Sequence, residues 1–338
     1  MITLPTPLLF KPIYKDYLWG GERIPEIYER TGAPDRCAES WEIAAHKDGD
    51  SVVLRGPLAG RTLSDLTSLY GIALVGTRAP DPLRFPLLFK LIDARERLSV
   101  QVHPSNATAP LIPNAEPKTE MWYMLAPPAP LQVPQSVLTR ALPSLYAGLT
   151  PGTTPDTLRA AIESKTVEQH LIPLPATPGG ALFIPGGLVH AIGEGCLIYE
   201  VQQNSNTTFR LYDWDRIGGQ GKPRRLHIEQ SFTSIDWTLP PPSMTLPRET
   251  RTTPNATWEE VVTCEFFKVR RLTLRGKTTI PVDWTTFHAL FVEGGDVTVE
   301  AGGERCPLPP GASCLIPASA LRYTLTPSTP ATIIITTL

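Results

Sequence analysis

The chain has 338 residues, 41% of them apolar, and nearly balanced charge: 31 Lys+Arg against 33 Asp+Glu, a net −2. That composition supplies a core for about two domains and gives nucleic acid no electrostatic footing as a partner. Its 37 prolines beside 25 glycines exclude a helical bundle and a long doubly wound sheet, because proline is poorly tolerated inside helices and strands. No apolar run approaches the roughly 18 residues of a transmembrane helix, and the opening MITLPTPLLFKPIYK lacks a basic n-region and a cleavage site. Five cysteines, at 37, 196, 264, 306 and 314, are odd in number and form no CxxC pair. Neither GxGxxG nor GxxxxGK[ST] is present. These features point to a cytoplasmic, mainly β protein with no nucleic-acid or membrane partner.

In chain order, residues 40–45, 87–92, 98–103, 120–125, 181–184, 197–203 and 207–213 read as short strands. Residues 62–70 read as a helix with Ser64 or Asp65 near its start. A second helix is expected over 154–170, capped by Asp156 and stopped by Pro173. Residues 239–254, LPPPSMTLPRETRTTP, read as an extended linker. Strand-like runs fill the rest, so a domain over 1–238, a linker over 239–254 and a smaller β domain over 255–338 are expected. A weak repeat relates the two domains: GGALFIPGGLVH at 179–190 and GASCLIPASALR at 311–322 share Gly, an apolar run, Pro and a small residue in register. His190 at the end of the first copy can bind a metal. Arg322 at the end of the second cannot, so the second copy is expected to be metal-free.

Three segments carry candidate chemistry. In Leu98-Ser-Val-Gln-Val-His-Pro104, alternation puts Ser99, Gln101 and His103 on one face of a strand. In Lys118-Thr-Glu-Met-Trp122 it does the same for Lys118, Glu120 and Trp122. His190 follows a Pro-Gly-Gly-Leu-Val turn. Taken singly, each is a weak signal and reads first as a solvent-facing strand or a packed or exposed histidine. Together they supply an amide oxygen, two imidazoles and a carboxylate, a set that a borderline cation such as Zn²⁺ accepts. Histidines 46, 170, 227 and 288 stand in no comparable sequence pattern and are read as structural.

In order along the chain, the segments Tyr17-Leu-Trp-Gly-Gly21, Glu39-Ser-Trp-Glu-Ile43, Phe85-Pro-Leu-Leu-Phe-Lys-Leu-Ile-Asp-Ala94, 98–104, 118–120, Phe183-Ile-Pro-Gly-Gly-Leu-Val-His-Ala191 and Gln202-Gln-Asn-Ser-Asn-Thr-Thr-Phe-Arg210 resemble the type I mannose-6-phosphate isomerases of the cupin superfamily, in their short bacterial form. The resemblance covers about residues 8 to 238, and 255–338 matches only loosely. It implies two cupin-type jelly-roll barrels with a few short helices. It also implies one zinc ion per chain, on Gln101, His103, Glu120 and His190, and a basic active-site set of Lys90, Lys118 and Arg210. Departures occur at the loop Pro104-Ser-Asn-Ala107, where acidic residues are frequent, at Glu194, where Asn is common, and at Leu188, which replaces a more polar residue. None is a ligand.

The implied reaction interconverts mannose 6-phosphate and fructose 6-phosphate through an enediolate, on a small-molecule sugar phosphate, by a monomer or small homo-oligomer. Charge gathering on two substrate oxygens needs a cation or donors aimed there. Arg210 is a permanent cation suited to the enediolate or the phosphate. Lys118 is a candidate catalytic base or oxygen ligand, Lys90 a phosphate or hydroxyl contact, and a metal-bound water is a third candidate base. An iron cupin dioxygenase and a non-catalytic sugar-phosphate-binding cupin are the alternatives. The first leaves Lys90, Lys118 and Arg210 unexplained, and the second has no need of four ligands.

Overall fold

A computed structural model describes residues 4, 7–125, 144–217 and 221–338. The chain divides into two compact units, one of Met1–Ile13, Ser40–Lys90 and Leu246–Leu338, the other of Tyr14–Glu39 and Leu91–Thr245.

The first unit is built on two antiparallel sheets. One runs Arg248–Thr252, Ala256–Thr263, Lys268–Leu274, Ala331–Thr337, His288–Gly294, Ser313–Ile316; the other runs Thr278–Pro281, Arg322–Pro327, Val297–Ala301, Glu304–Leu308. Alternating apolar residues of both sheets meet in one core, among them Leu272, Leu290, Ile335, Val299 and Leu325. Leu8 exchanges two backbone hydrogen bonds with Leu315, at 3.0 and 2.9 Å. The Phe85 ring lies 4.8 Å from that of Phe287. These contacts tie the N-terminal segments to the C-terminal sheets, so the expected cut between 1–238 and 255–338 does not follow the packing. The expected linker is also corrected, since Arg248–Thr252 is a strand paired with Ala256–Thr263. Pro254 sits in the turn, where its fixed φ suits a hairpin, and β-branched threonines suit the strand.

In the second unit a five-stranded sheet runs Leu171–Pro175, Ser144–Leu149, His190–Ile192, Val100–Val102, Phe209–Tyr212. Another sheet carries Ala181–Ile184, Glu120–Met124 and Leu197–Gln203 side by side. Leu145, Ala147 and Ile192 of the first share a core with Trp122, Leu182, Ile184 and Ile198 of the second. The outer face of the five-stranded sheet, through Val100, Val102, Val189 and Leu211, is covered by helix Pro155–Glu163 and helix Ile228–Ser234.

The mainly β fold with few helices matches expectation, but the strand orders are linear and the sheets are open rather than closed barrels. Much of the proline serves the edges that remain. Pro173 and Pro175 lie in one edge strand, Pro307 and Pro281 in two others, while Arg248–Thr252 blunts its edge with charge. The 154–170 helix is shorter than expected: it ends at Glu163, and only a 3₁₀ turn, Val167–His170, follows. Lys165, at φ 61°, breaks it. Thr154, not Asp156, is the cap, in a reciprocal capping box with Thr157. In both repeat copies a strand (Ala181–Ile184, Ser313–Ile316) leads through the Pro turn to a strand starting at His190 or Arg322.

Candidate metal centre

Strand register assembles the site inside the second unit. Ala147 pairs with His190, His190 with Gln101, and Gln101 with Arg210, so these four side chains stand in one row on one face. His103 follows Gln101 by two residues and keeps that face. Glu120 lies in the other sheet, between Ile184 and Gln202. The same alternation that sends Trp122 and Met124 into the shared core sends Glu120 there too. The polar face of 98–103 is therefore not turned to water: Ser99 and His103 are buried.

A tight turn locks the two histidine segments together. Gly187 N–H donates to the His103 carbonyl at 2.8 Å, and Gly186 N–H donates to Thr119 Oγ1 at 3.2 Å. Lys118 N–H donates to the Pro104 carbonyl at 2.9 Å. Gly186 has no room for a side chain, since a Cβ there would stand 2.6 Å from Ser105 Cα. Gly187, at φ 96°, occupies backbone space that favours glycine.

The donor atoms converge. His103 Nε2 lies 3.2 Å from His190 Nε2. Glu120 Oε2 lies 3.4 Å from the former and Oε1 3.6 Å from the latter. Gln101 Nε2 is 3.3 Å from His190 Nε2, and an amide turned by half a rotation puts Oε1, its ligating atom, at that place. Four ligands on a tetrahedral ion at 2.0–2.1 Å are about 3.4 Å apart. The observed spacing matches that edge length. Both Glu120 oxygens are buried without an aligned hydrogen bond, although Lys118 Nζ stands 2.7 Å from Oε2 as an ion pair. His190 Nδ1–H donates to the Leu188 carbonyl at 2.8 Å, which fixes the tautomer and turns Nε2 toward the cluster. Donor chemistry and spacing thus fit a zinc-sized cation.

Electrostatics set the protonation states such a cation needs. Burial, reinforced by the Lys118 charge, lowers the His103 imidazole to about 3. Burial lowers His190 as well, against the pull of Glu120 and the Leu188 bond. For Glu120 burial acts upward, but Lys118, His103 and His190 outweigh it and hold the carboxyl well below the usual range. Neutral imidazoles and an ionised carboxylate are the ligand forms of these groups.

The remaining sequence candidates divide. Lys118 joins the cluster, its Nζ 3.2 Å from His103 Nε2. Arg210 holds the end of the ligand row, with Nη1 donating to the Arg225 carbonyl at 3.0 Å. Its partner in the strand, Phe209, packs into the outer core. Lys90 is buried in the first unit, its Nζ 5.1 Å above the Trp41 ring centre. Sequence reading passed over Glu200, which accepts from Trp122 Nε1 at 3.0 Å. That indole stacks edge-on against His190, ring centres 5.4 Å apart. The signal available was Glu200 and Gln202 two apart in a run otherwise fit for a core.

Fold and site together define a mainly β protein in which His103, Glu120 and His190 form a buried triad that could hold a metal ion, with Gln101 beside it. Residues 8–124 match the sequence profile of the phosphomannose isomerase type I catalytic domain. Residues 257–336 match that of the mannose-6-phosphate isomerase cupin domain. Mannose-6-phosphate isomerase ManA of Bacillus subtilis is 34% identical over 312 residues, 92% of this chain and 93% of that protein. The mannose-6-phosphate isomerase of Streptococcus mutans is 34% identical over 67% of this chain and 66% of that one. The crystal structure of a mannose 6-phosphate isomerase from Bacillus subtilis aligns with TM-score 0.85 at 28% identity, over 98% of this chain and 99% of that one. The chain belongs to the type I mannose-6-phosphate isomerase family, and it is an enzyme.

Proposed function

We propose that this enzyme is a zinc-dependent aldose–ketose isomerase that interconverts mannose 6-phosphate and fructose 6-phosphate through an enediolate, in the cytoplasm. Gln101, His103, Glu120 and His190 would hold the ion, which would supply Lewis acidity toward the substrate oxygens. The observation that carries the reading is the cluster of Nε2, Nε2 and carboxylate oxygens at 3.2–3.6 Å with an ammonium among them.

The reaction removes a proton from C2, returns one to C1 and shifts a hydroxyl proton between O2 and O1, so no external oxidant or reductant is needed. Lys118, with Nζ 2.7 Å from Glu120, stands where it can hold a substrate oxygen or carry the proton. Arg210 is the permanent cation of the ligand row and is assigned to the enediolate oxygens, whose charge it would stabilise more strongly than that of the ground state. The Trp122–Glu200 pair and the Leu188 carbonyl keep His190 in place.

A coupled assay of fructose 6-phosphate formation from mannose 6-phosphate tests the proposal. Turnover should vanish on exhaustive chelation and return with zinc, at one metal per chain by elemental analysis. Full activity in metal-free protein would refute it. Turnover restored only by iron, with oxygen uptake, would favour a dioxygenase instead.

A further inference from the structure

The first unit has a cavity of about 650 Å³, within the range that holds drug-sized ligands. Five cations line it, Arg78, Arg251, Lys268, Arg270 and Lys277, against one carboxylate, Asp283. Asp283 is already engaged, accepting from the Thr285 backbone N–H at 3.1 Å and from the Thr285 hydroxyl. Lys268 pairs with Glu260 at 3.4 Å, and Arg78 donates to the Leu338 carbonyl at 3.0 Å. Among the described residues no carboxylate pairs with Arg251, Arg270 or Lys277.

Arg270 is the telling group. It pairs across the sheet with Ile335, and Ile335 with Leu290, both core residues, so Arg270 lies on the face turned to the core, at its open end. Its guanidinium carbon lies 5.3 Å from the Trp258 ring centre, and its Nε is buried without a hydrogen-bond partner. A partly desolvated cation without a counter-ion is costly, and a bound anion removes that cost. Beside it His288, lowered to about 4 by burial and by the Arg270 charge, is neutral, with Nδ1 3.0 Å from the Tyr323 hydroxyl. The threonine hydroxyls at 278, 279 and 286 that line the space are engaged, Thr278 donating to the Gly276 carbonyl, Thr286 to the Phe287 carbonyl and Thr279 paired with Thr324, so the unpaired cations are the donors that remain.

We infer that this cavity is a second ligand site, separate from the metal centre, that binds a phosphate-bearing small molecule through Arg251, Arg270 and Lys277. The occupant is set by chemistry: several unpaired donors for a multiply charged oxyanion, in a space larger than phosphate alone requires.

Equilibrium dialysis of the full chain at low salt tests it, with labelled inorganic phosphate, mannose 6-phosphate and ATP as separate probes. The Glu120→Gln variant, carrying a disabled metal centre, should still retain one equivalent of at least one probe per chain. Arg251 and Lys277 are exposed, so Arg251→Gln/Lys277→Gln should fold normally and bind at least about tenfold more weakly; Arg270→Gln should do the same. Preference for mannose 6-phosphate or for ATP over inorganic phosphate identifies the free sugar phosphate or the nucleotide as the source. No retention of any probe by Glu120→Gln, or affinity in both cavity variants within twofold of the parent, overturns the site whatever the assay of the metal centre gives.

Discussion

Burial pulls the three titratable candidate ligands, His103, His190 and Glu120, in one direction, toward their uncharged forms, and only Glu120 resists because Lys118 and the imidazoles face it. Substitutions at these positions therefore separate binding from chemistry. His190→Ala should remove the metal, read by elemental analysis, and activity with it. Arg210→Ala should lower kcat by roughly 10²–10³-fold, the range for one charge-stabilising donor, with metal content unchanged. If kcat holds and only KM rises, Arg210 is a phosphate anchor instead. At His288 the prediction concerns pH. Its unfolded value near 6.5 exceeds the folded value of about 4, so its stabilisation is complete above 6.5 and is lost progressively as pH falls to 4. Arg270 lowers it and Asp283 opposes. His288→Gln should thus lose less melting temperature between pH 7 and 5 than the parent. The face that carries Gln101 and His103 was legible because period two in a strand is geometry. The burial of that face was not, because alternation cannot tell water from a second sheet.

At the scale of elements, the turn between Ile184 and His190 carries positional information without ligating anything. Gly186→Ala would drive a methyl group into the Ser105 backbone, so metal affinity and kcat should fall together although every ligand remains. A normal metal content and rate would refute the account of the turn. Thr154→Ala, losing the capping box, should cost about 1 kcal/mol of stability, measured by urea unfolding, and leave the rate alone. The strand segments were readable because β-branched and apolar runs stood between prolines. Helix ends were less so, since Thr154 and Asp156 are both good caps and only Pro155 at the first helical position settles which serves.

On the scale of the whole molecule, the boundary was the part least visible in the sequence. A proline-rich run reads as a linker, yet residues within it, Arg248–Thr252, form a strand, and the N-terminal Leu8 pairs with Leu315. Contacts between residues some three hundred positions apart leave no local trace in composition. The unit that begins with Met1–Ile13 is closed by Leu246–Leu338, and this has a consequence for biogenesis. While the chain is emerging from the ribosome, Ser40–Lys90 has no C-terminal sheets to dock against, and such long-range closure is slow and exposes apolar surface. The Tyr14–Glu39 and Leu91–Thr245 segments are all synthesised before that closing piece. Protease resistance should consequently appear first in the unit of Tyr14–Glu39 and Leu91–Thr245 in stalled nascent chains, and in the other only once Leu246–Leu338 has left the ribosome.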